Sequence, residues 1–163
     1  RAEEQRDPAF SHHAADDLPV IQDDGLWMRL LAGRAYGQTS PVPAFSDFFY
    51  LHAELQAGAR LALPEDHAER ALYVVDGEIT LAGTSYGPGR LVVLREGAAA
   101  GLTAETASRL MLLGGAPLAE ARHIWWNFVA SDRALIERAK DDWRNGRFTG
   151  VPGDSEVIPL PDG

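Results

Sequence analysis

Histidines are the residues of this chain best suited to binding a metal, because the chain contains no cysteine. The absence of cysteine also excludes a thiol nucleophile and a disulfide framework. Adjacent histidines on an extended backbone point to opposite sides, so His12 and His13 are not expected to share a metal. The five histidines, which share no ligand spacing, are His12, His13, His52, His67 and His123. The sequence therefore predicts that this chain binds no metal and no other cofactor.

The charge balance excludes further classes of function. The 163 residues carry 15 Lys and Arg against 24 Asp and Glu, which gives a net charge of −9, and Lys140 is the only lysine. Because the basic residues form no cluster that could follow a phosphate backbone, direct binding to nucleic acid is not expected. No uncharged run is long enough to cross a bilayer, and none resembles a signal peptide. We expect a cytoplasmic protein that does not contact membranes.

Short apolar segments bounded by Gly, Pro and Asp follow one another from Gly25 to Gly115, which is typical of an all-β sandwich or barrel. A further apolar run, Ile124–Val129, is long enough for one strand. Trp125 and Trp126, which are adjacent within this run, would then face opposite sides of that strand. The other predicted strands are Leu26–Leu31, Phe48–Leu55, Ala59–Leu63, Ala71–Val75, Glu78–Leu81, Leu91–Leu94 and Ser108–Leu113.

A tight turn is predicted at Asp76-Gly77. Both of these residues tolerate a positive φ, which the two central positions of a short hairpin turn require. The turn would join the predicted strands Ala71–Val75 and Glu78–Leu81 as a β-hairpin.

One helix is predicted near the C-terminus, from about Asp132 to Arg144. Ser131 is placed to cap its first amides, and Asn145-Gly146 is placed to end it. The tail that follows is rich in proline and should run extended. The apolar residues of the helix, which form one stripe, are Leu135, Ile136, Ala139 and Trp143.

Composition divides the chain into three parts. Residues 1–24 are polar and acidic, as in an N-terminal arm or an interdomain linker. Residues 25–129 hold the predicted barrel. Residues 130–163 hold the predicted C-terminal helix and the proline-rich tail.

The stretch from Gly58 to Gly77 resembles the first signature of the cupin barrel, and the segment around Pro88-Gly89 resembles the second. The resemblance implies a double-stranded β-helix, or jelly-roll barrel, with metal ligands at its mouth. Counted back from Gly77, Arg70 holds the position of the ligand glutamate. The histidine positions fall near Pro64 and Asp66 and within the run 97–100, none of which supplies an imidazole. A permanent positive charge at Arg70 opposes a metal there.

The C-terminal third closely resembles the end of bacterial pirins. Pirins are bicupins, with two cupin barrels in tandem and one metal, usually iron, held by three histidines and a glutamate of the N-terminal barrel. The resemblance implies that this chain corresponds to the C-terminal half. The segments that carry it are Gly114–Leu118, Arg122–Val129, Asp142-Trp143, Gly146–Phe148, Val151–Asp154 and Ile158–Pro161.

Three functional hypotheses follow from this resemblance. The first is a metal-free, non-catalytic cupin domain with a structural or interaction role, which would pair with a second cupin domain or form a homodimer because an isolated half exposes apolar surface. The second is part of an iron-dependent quercetin 2,3-dioxygenase whose active site lies in an N-terminal barrel. The third is a cupin that binds a small molecule at the barrel mouth through Glu65, His67 and Arg70. Under the first hypothesis the chain itself has no catalytic residue.

In the sequence, His67 lies one residue from a ligand position, where strand alternation would turn its side chain away from a shared site. We therefore expect His67 in a loop or on the rim of the barrel. The direction of Arg70 separates the third hypothesis from the others, because only an inward guanidinium can contact a ligand inside the barrel.

Overall fold

The computed structural model describes residues 3–98, 100–150 and 152–161, and within them two antiparallel sheets pack against each other across an aliphatic core. The larger sheet has the order β1-β2-β4-β11-β6-β9, and β3 pairs with β2 outside this path. Its strands are β1 (Val20–Asp23), β2 (Leu26–Ala35), β3 (Gln38–Thr39), β4 (Phe48–Leu55), β6 (Glu69–Asp76), β9 (Leu91–Val93) and β11 (Ser108–Gly115).

The smaller sheet has the order β5-β10-β7-β8. Every pairing in both sheets is antiparallel, so side chains alternate between the core and the outer surface along each strand. The strands of the smaller sheet are β5 (Arg60–Ala62), β7 (Ile79–Leu81), β8 (Thr84–Tyr86) and β10 (Gly101–Ala104).

Strand β4 shows how the sequence produces the core. Alternate residues from Phe49 to Leu55 are buried, whereas Tyr50 and Glu54 on the other face are exposed. Leucines with no exposed surface come from neighbouring strands of the larger sheet, and each contributes about 1.5–3 kcal/mol through burial. These leucines are Leu30, Leu51, Leu72, Leu110 and Leu112.

A second set of elements follows the sheets. It consists of the hairpin β12 (His123–Trp125) and β13 (Phe128–Ala130) and the helix α1 (Arg133–Arg144). The predicted all-β architecture with one C-terminal α-helix is thus confirmed within the described residues. None of their helices combines the length and the apolar character needed to cross a membrane.

The predicted helix cap at Ser131 is wrong. The N-cap is Asp132, whose side chain accepts a hydrogen bond from the backbone N–H of Ala134 at 2.8 Å. Ser131 instead donates its backbone N–H and its hydroxyl to the carboxylate of Glu4. These two hydrogen bonds lower the pKa of Glu4, because they favour its ionised form.

The prediction of one strand over Ile124–Val129 is also wrong. Trp126 has φ 51° and lies in the turn of a hairpin, so the run is split between β12 and β13. The rings of Trp125 and Trp126 do not face opposite sides but meet edge to face, with centroids 6.3 Å apart. Trp126 also meets the ring of Trp143 in α1 edge to face, with ring centroids 5.1 Å apart.

Asp76-Gly77 makes a turn, but not the predicted hairpin. Strand β6 before it pairs with β9 and β11, whereas β7 after it pairs with β8 and β10, so the turn passes the chain from one sheet to the other. Gly77 has φ 82°, and a Cβ there would lie 2.4 Å from the carbonyl oxygen of Ala107. Glycine is required because the chain crosses tightly against this backbone.

Contacts group the chain into two compact units. The barrel unit is Ala9–Pro117, and the C-terminal unit combines residues 3–8 with the described residues from Leu118 onward. The sequence placed boundaries after residues 24 and 129 instead. The N-terminal arm includes a 3₁₀ turn, Ala15–Asp17, and the edge strand β1, which pairs with β2. The predicted segments also include Arg1, Ala2, Ala99, Val151, Asp162 and Gly163, which lie outside the described residues.

Candidate binding site at the barrel mouth

Arg70 points into the barrel. It lies on β6 with Leu72 and Val74, and these three alternate residues are all buried, with Arg70 only 4% exposed. Its cross-strand neighbour on β11 is Gly114. A Cβ at Gly114 would lie 2.5 Å from the Phe49 ring and 3.1 Å from Cγ of Arg70, so glycine leaves the space that the long side chain occupies.

The guanidinium of Arg70 joins two loops. Nη1 donates to the carbonyl oxygen of Pro64 at 3.1 Å, and Nη2 donates to the carbonyl oxygen of Ala98. Nε has no hydrogen-bond partner. Among the described residues no carboxylate lies within ion-pair distance of Arg70. The positive charge is therefore buried with partial compensation from two carbonyl dipoles.

His67 lies in the loop before β6, as predicted, but it is buried at 3% exposure rather than placed on the rim. Its ring packs against Phe49 with centroids 5.0 Å apart, which explains the burial. Nε2 lies 3.1 Å from the carbonyl oxygen of Arg34, and because a carbonyl only accepts, this nitrogen carries a proton. Nδ1 has no hydrogen-bond partner, and the nearest carboxylate oxygen, on Asp47, is 3.9 Å away.

An ion pair lies behind His67. Arg34 donates to both carboxylate oxygens of Asp47, at 2.7 and 2.9 Å. These hydrogen bonds and the charge of Arg34 lower the pKa of Asp47. The carboxylate that faces His67 is therefore ionised and already bound on its other side.

A cavity of about 420 Å³ brings together Glu65, His67 and Arg70, the three residues predicted for the barrel mouth. Glu65 is exposed, whereas the other two are buried. Glu96 also lines this cavity and was missed from the sequence, although it stands next to the run 97–100 that was searched for ligands. The sequence feature that could have identified Glu96 is its carboxylate, which directly precedes that run.

The iron that the cupin resemblance implies does not fit this barrel. Within residues 3–98, 100–150 and 152–161, no three His, Asp or Glu side chains are grouped so that they could hold a metal ion. His67 stands alone there, since His52 packs on Trp27 at the outer surface and His123 belongs to β12. A guanidinium occupies the interior instead, and its fixed charge opposes a cation.

Aromatic side chains dominate the described part of the C-terminal unit. Its aromatic rings pack on one another, and Nζ of Lys140 lies 4.7 Å from the Trp125 ring centre. Nε1 of Trp143 donates to the carbonyl oxygen of Ile158 at 2.8 Å, which holds the tail against α1. This arrangement supports a structural role for its tryptophans.

Comparison with known proteins agrees with this architecture. A pirin-like protein from Caulobacter vibrioides is 41% identical over 161 residues, which cover 98% of this chain and 56% of that protein. A putative quercetin 2,3-dioxygenase from Pseudomonas aeruginosa is 34% identical, covering 88% of this chain and 46% of that protein. A solved structure of quercetin 2,3-dioxygenase from Acinetobacter baumannii matches with a TM-score of 0.80 at 26% identity, over 90% of this chain and 50% of that one.

The chain spans about half the length of the curated relatives that it matches. The family model for the pirin C-terminal cupin domain matches residues 50–149, which include the barrel mouth and the whole of α1. Taken with the two-sheet barrel, these similarities show that the chain belongs to the pirin family and contains its C-terminal cupin domain.

Proposed function

We propose that this chain is a metal-free, non-catalytic cupin domain of a longer pirin-like protein. The observation that carries the proposal is the guanidinium of Arg70. It lies where the family signature has a ligand glutamate, and it binds carbonyls of Pro64 and Ala98, in the two segments where the ligand histidines would lie. One fixed cation thus connects the segments that a metal would connect in a metal-binding cupin.

The names of the relatives favour a second candidate function for the longer protein. One matched relative is called a putative quercetin 2,3-dioxygenase and a matched solved structure carries the same enzyme name. Such an activity would require a metal, and the donors of this barrel do not fit one. We infer that any dioxygenase site of the longer protein lies outside this chain.

The metal test uses the chain without an affinity tag, dialysed with ferrous iron under nitrogen. Bound iron and oxygen uptake with quercetin are then measured. We expect both at background, because His67 donates to a backbone carbonyl and Arg70 repels the cation. Stoichiometric iron, with turnover that disappears in His67→Ala, would overturn the proposal and place an active site in this barrel.

The outer face of the larger sheet supports an interaction role. Leu113 of β11 pairs with Tyr50 of β4 on one side and with Ala71 of β6 on the other, and Ala71 pairs with Val93 of β9. These cross-strand neighbours share one face and form a continuous apolar surface, which we call the outer patch. Its large exposed members are Tyr50, Tyr73, Leu91, Val93 and Leu113.

We propose that a second cupin barrel covers the outer patch. A groove of about 850 Å³ runs along the patch beside Phe48 and Leu113, and its lining is mostly apolar, with Glu69 and Glu96 as its exposed charged residues. Large exposed apolar patches of this kind mark interaction sites. The matched relatives are about twice as long as this chain, which leaves room in them for a domain of similar size.

Sedimentation equilibrium at about 0.1 mM tests the outer patch, a concentration at which even weak pairs form. Without a second barrel present, we expect two copies of the chain to pair through this patch. Leu113→Glu should give a monomer, whereas Val157→Glu, at a residue that is 81% exposed in the tail, should leave the pairing unchanged. A wild-type chain that stays monomeric, or equal association of both variants, would contradict the proposal.

A further inference from the structure

The charge of Arg70 lacks a counter-ion. A guanidinium has five N–H donors, and two of its nitrogens reach the carbonyls of Pro64 and Ala98, while Nε reaches no acceptor. The residue is 4% exposed, and a buried charge without an ionised partner is costly. An anion that enters the barrel mouth would therefore gain a strong, weakly screened partner.

The rim of the same cavity carries the opposite charge. Glu65, Asp66 and Glu96 line it, and all three are exposed, so water and salt screen their charges. Arg70 and His67 lie at the buried end, where screening is weaker. The cavity is thus cationic inside and anionic outside. The rim carboxylates would repel a singly charged anion that enters the cavity, and they would repel a dianion more strongly.

His67 offers the ligand no free acceptor, because its Nε2 donates to the carbonyl oxygen of Arg34 and its Nδ1 lies 3.9 Å from the Asp47 carboxylate. The exposed carboxylates of the rim are therefore the groups that can hold the positive part of a ligand whose anionic part reaches Arg70.

We propose that the barrel mouth binds a small molecule that carries both a carboxylate and an ammonium group. The carboxylate pairs with Arg70, and the ammonium group is held by the rim carboxylates Glu65, Asp66 and Glu96. The cavity, at about 420 Å³, is large enough for an amino acid of a few carbons. This activity goes beyond the proposed docking role and needs no metal.

A purely structural role of Arg70 predicts something different. If the guanidinium only ties the loop at Pro64 to the loop at Ala98, its removal lowers stability, but no ligand stabilises the wild-type chain. The two roles separate when binding is measured directly rather than through stability.

Titration of the ¹⁵N-labelled chain with β-alanine at constant ionic strength provides that measurement. We expect saturable 1:1 shifts at the side-chain Nε–H of Arg70 and at amides of residues 65–70 and 96–98. Arg70→Lys keeps the charge but loses the planar fork, and it should weaken binding at least about tenfold. The matched control is Arg95→Lys, at an exposed arginine next to Glu96. It should stay within about twofold of wild type.

Three further probes separate the parts of the ligand. Acetate, which lacks the ammonium group, and succinate, which meets the rim with a second carboxylate, should bind more weakly than β-alanine. The amide of β-alanine, which lacks the carboxylate, should give no shift at Arg70. Absence of saturable shifts up to about 50 mM β-alanine, or equal effects of β-alanine and its amide, would overturn the proposal.

Glu96→Gln keeps the test decisive if Arg70→Lys fails to fold. Glu96 is exposed and makes no ion pair among the described residues, so its neutralisation should leave the fold intact. The variant should bind β-alanine more weakly and acetate equally or more tightly, because one rim charge is gone. Equal weakening for both ligands would contradict the proposed orientation.

Discussion

The barrel unit and the C-terminal unit bury their apolar side chains in different ways. In the barrel, leucines from strands distant in sequence are fully enclosed between two sheets. In the C-terminal unit, Ile136 is buried, but Trp126 is 38% and Phe148 is 48% exposed, and the rings of β12, β13 and α1 cluster at the surface.

This difference has consequences for stability. An enclosed aliphatic core resists local opening, because every strand shares its contacts with several others. A cluster of half-exposed rings is held in part by single hydrogen bonds, such as the one from Trp143 to Ile158. We therefore expect the C-terminal unit to open before the barrel does.

The largest expected effect on the free energy of unfolding comes from one of two adjacent leucines on β11. Leu112 has no exposed surface, whereas Leu113 faces outward and is 37% exposed. Leu112→Ala should lower the free energy of unfolding by about 3–5 kcal/mol, because it leaves a cavity in the enclosed core. Leu113→Ala is the matched control and should cost less than half as much.

Urea unfolding followed by far-ultraviolet circular dichroism measures both variants, since the strands of the barrel dominate the ordered backbone. Equal losses of free energy would mean that the two faces of the larger sheet are equally enclosed. That result would also remove the basis for the outer patch.

Trp143 tests the C-terminal unit. Its ring meets Trp126, Phe128 and Phe148 but stays partly exposed, so Trp143→Ala should cost about 1–3 kcal/mol, below the cost for a fully buried tryptophan. Amide hydrogen exchange should quicken in α1 and in β13, while the amides of β4 and β11 keep their protection.

Trp143→Phe is the control for the hydrogen bond to Ile158, because it retains a ring and removes the N–H donor. It should cost about 1 kcal/mol. If Trp143→Ala instead accelerated exchange throughout the barrel, the two units would unfold together, and the contrast drawn between them would be wrong.

The sequence predicted the parts of the fold that follow from alternation. Phe48–Leu55 was predicted with the bounds that β4 has, because its apolar residues alternate along the whole strand. Strands β1, β3, β8 and β10 were missed. Val20–Asp23 ends in an acidic residue and Gly101–Ala104 holds mostly small residues, so both give little apolar signal, and pairing with neighbouring strands makes them extended.

Errors arose where tertiary contacts overrode local rules. Asp76-Gly77 fits a hairpin turn by composition, but the partners of β6 and β7 lie in different sheets, which local sequence does not encode. Trp126 adopts a positive φ, which is uncommon for a tryptophan, where it packs on Trp143.

The candidate site shows the same limit. Glu65, His67 and Arg70 could be selected from the sequence, but the burial of Arg70 could not be predicted, because arginine is rarely buried and the space for it is left by Gly114 on another strand. The burial of His67 likewise depends on Phe49, which is distant in sequence.

The contact of Glu4 with Ser131 is expected to contribute least to stability, and it gives a test that is specific to the C-terminal unit. Its carboxylate accepts two hydrogen bonds from Ser131, one of them from the hydroxyl at 2.6 Å, and these lower its pKa from the usual value of 4.5. A lowered pKa in the folded state means that the contact contributes stability above pH about 4.5, and that this contribution is lost as the pH falls through the folded pKa. The ion pair of Asp47 with Arg34 in the barrel responds in the same direction, since the pKa of Asp47 is also lowered.

Global acid unfolding cannot separate these two carboxylates, so the amide resonance of Ser131 is the proper probe. It should shift, and its protection factor should fall, as the pH falls through the lowered pKa of Glu4, while amides of β4 stay protected. Glu4→Gln should show the low-pH behaviour of Ser131 already at pH 7, because a neutral amide is a weaker acceptor than a carboxylate. Glu3→Gln is the matched control, since Glu3 pairs with Arg6 instead, and it should leave Ser131 unchanged. A Ser131 amide that ignores both the pH and Glu4→Gln would show that the N-terminal residues do not hold the hairpin, and the C-terminal unit would then depend on its aromatic cluster alone.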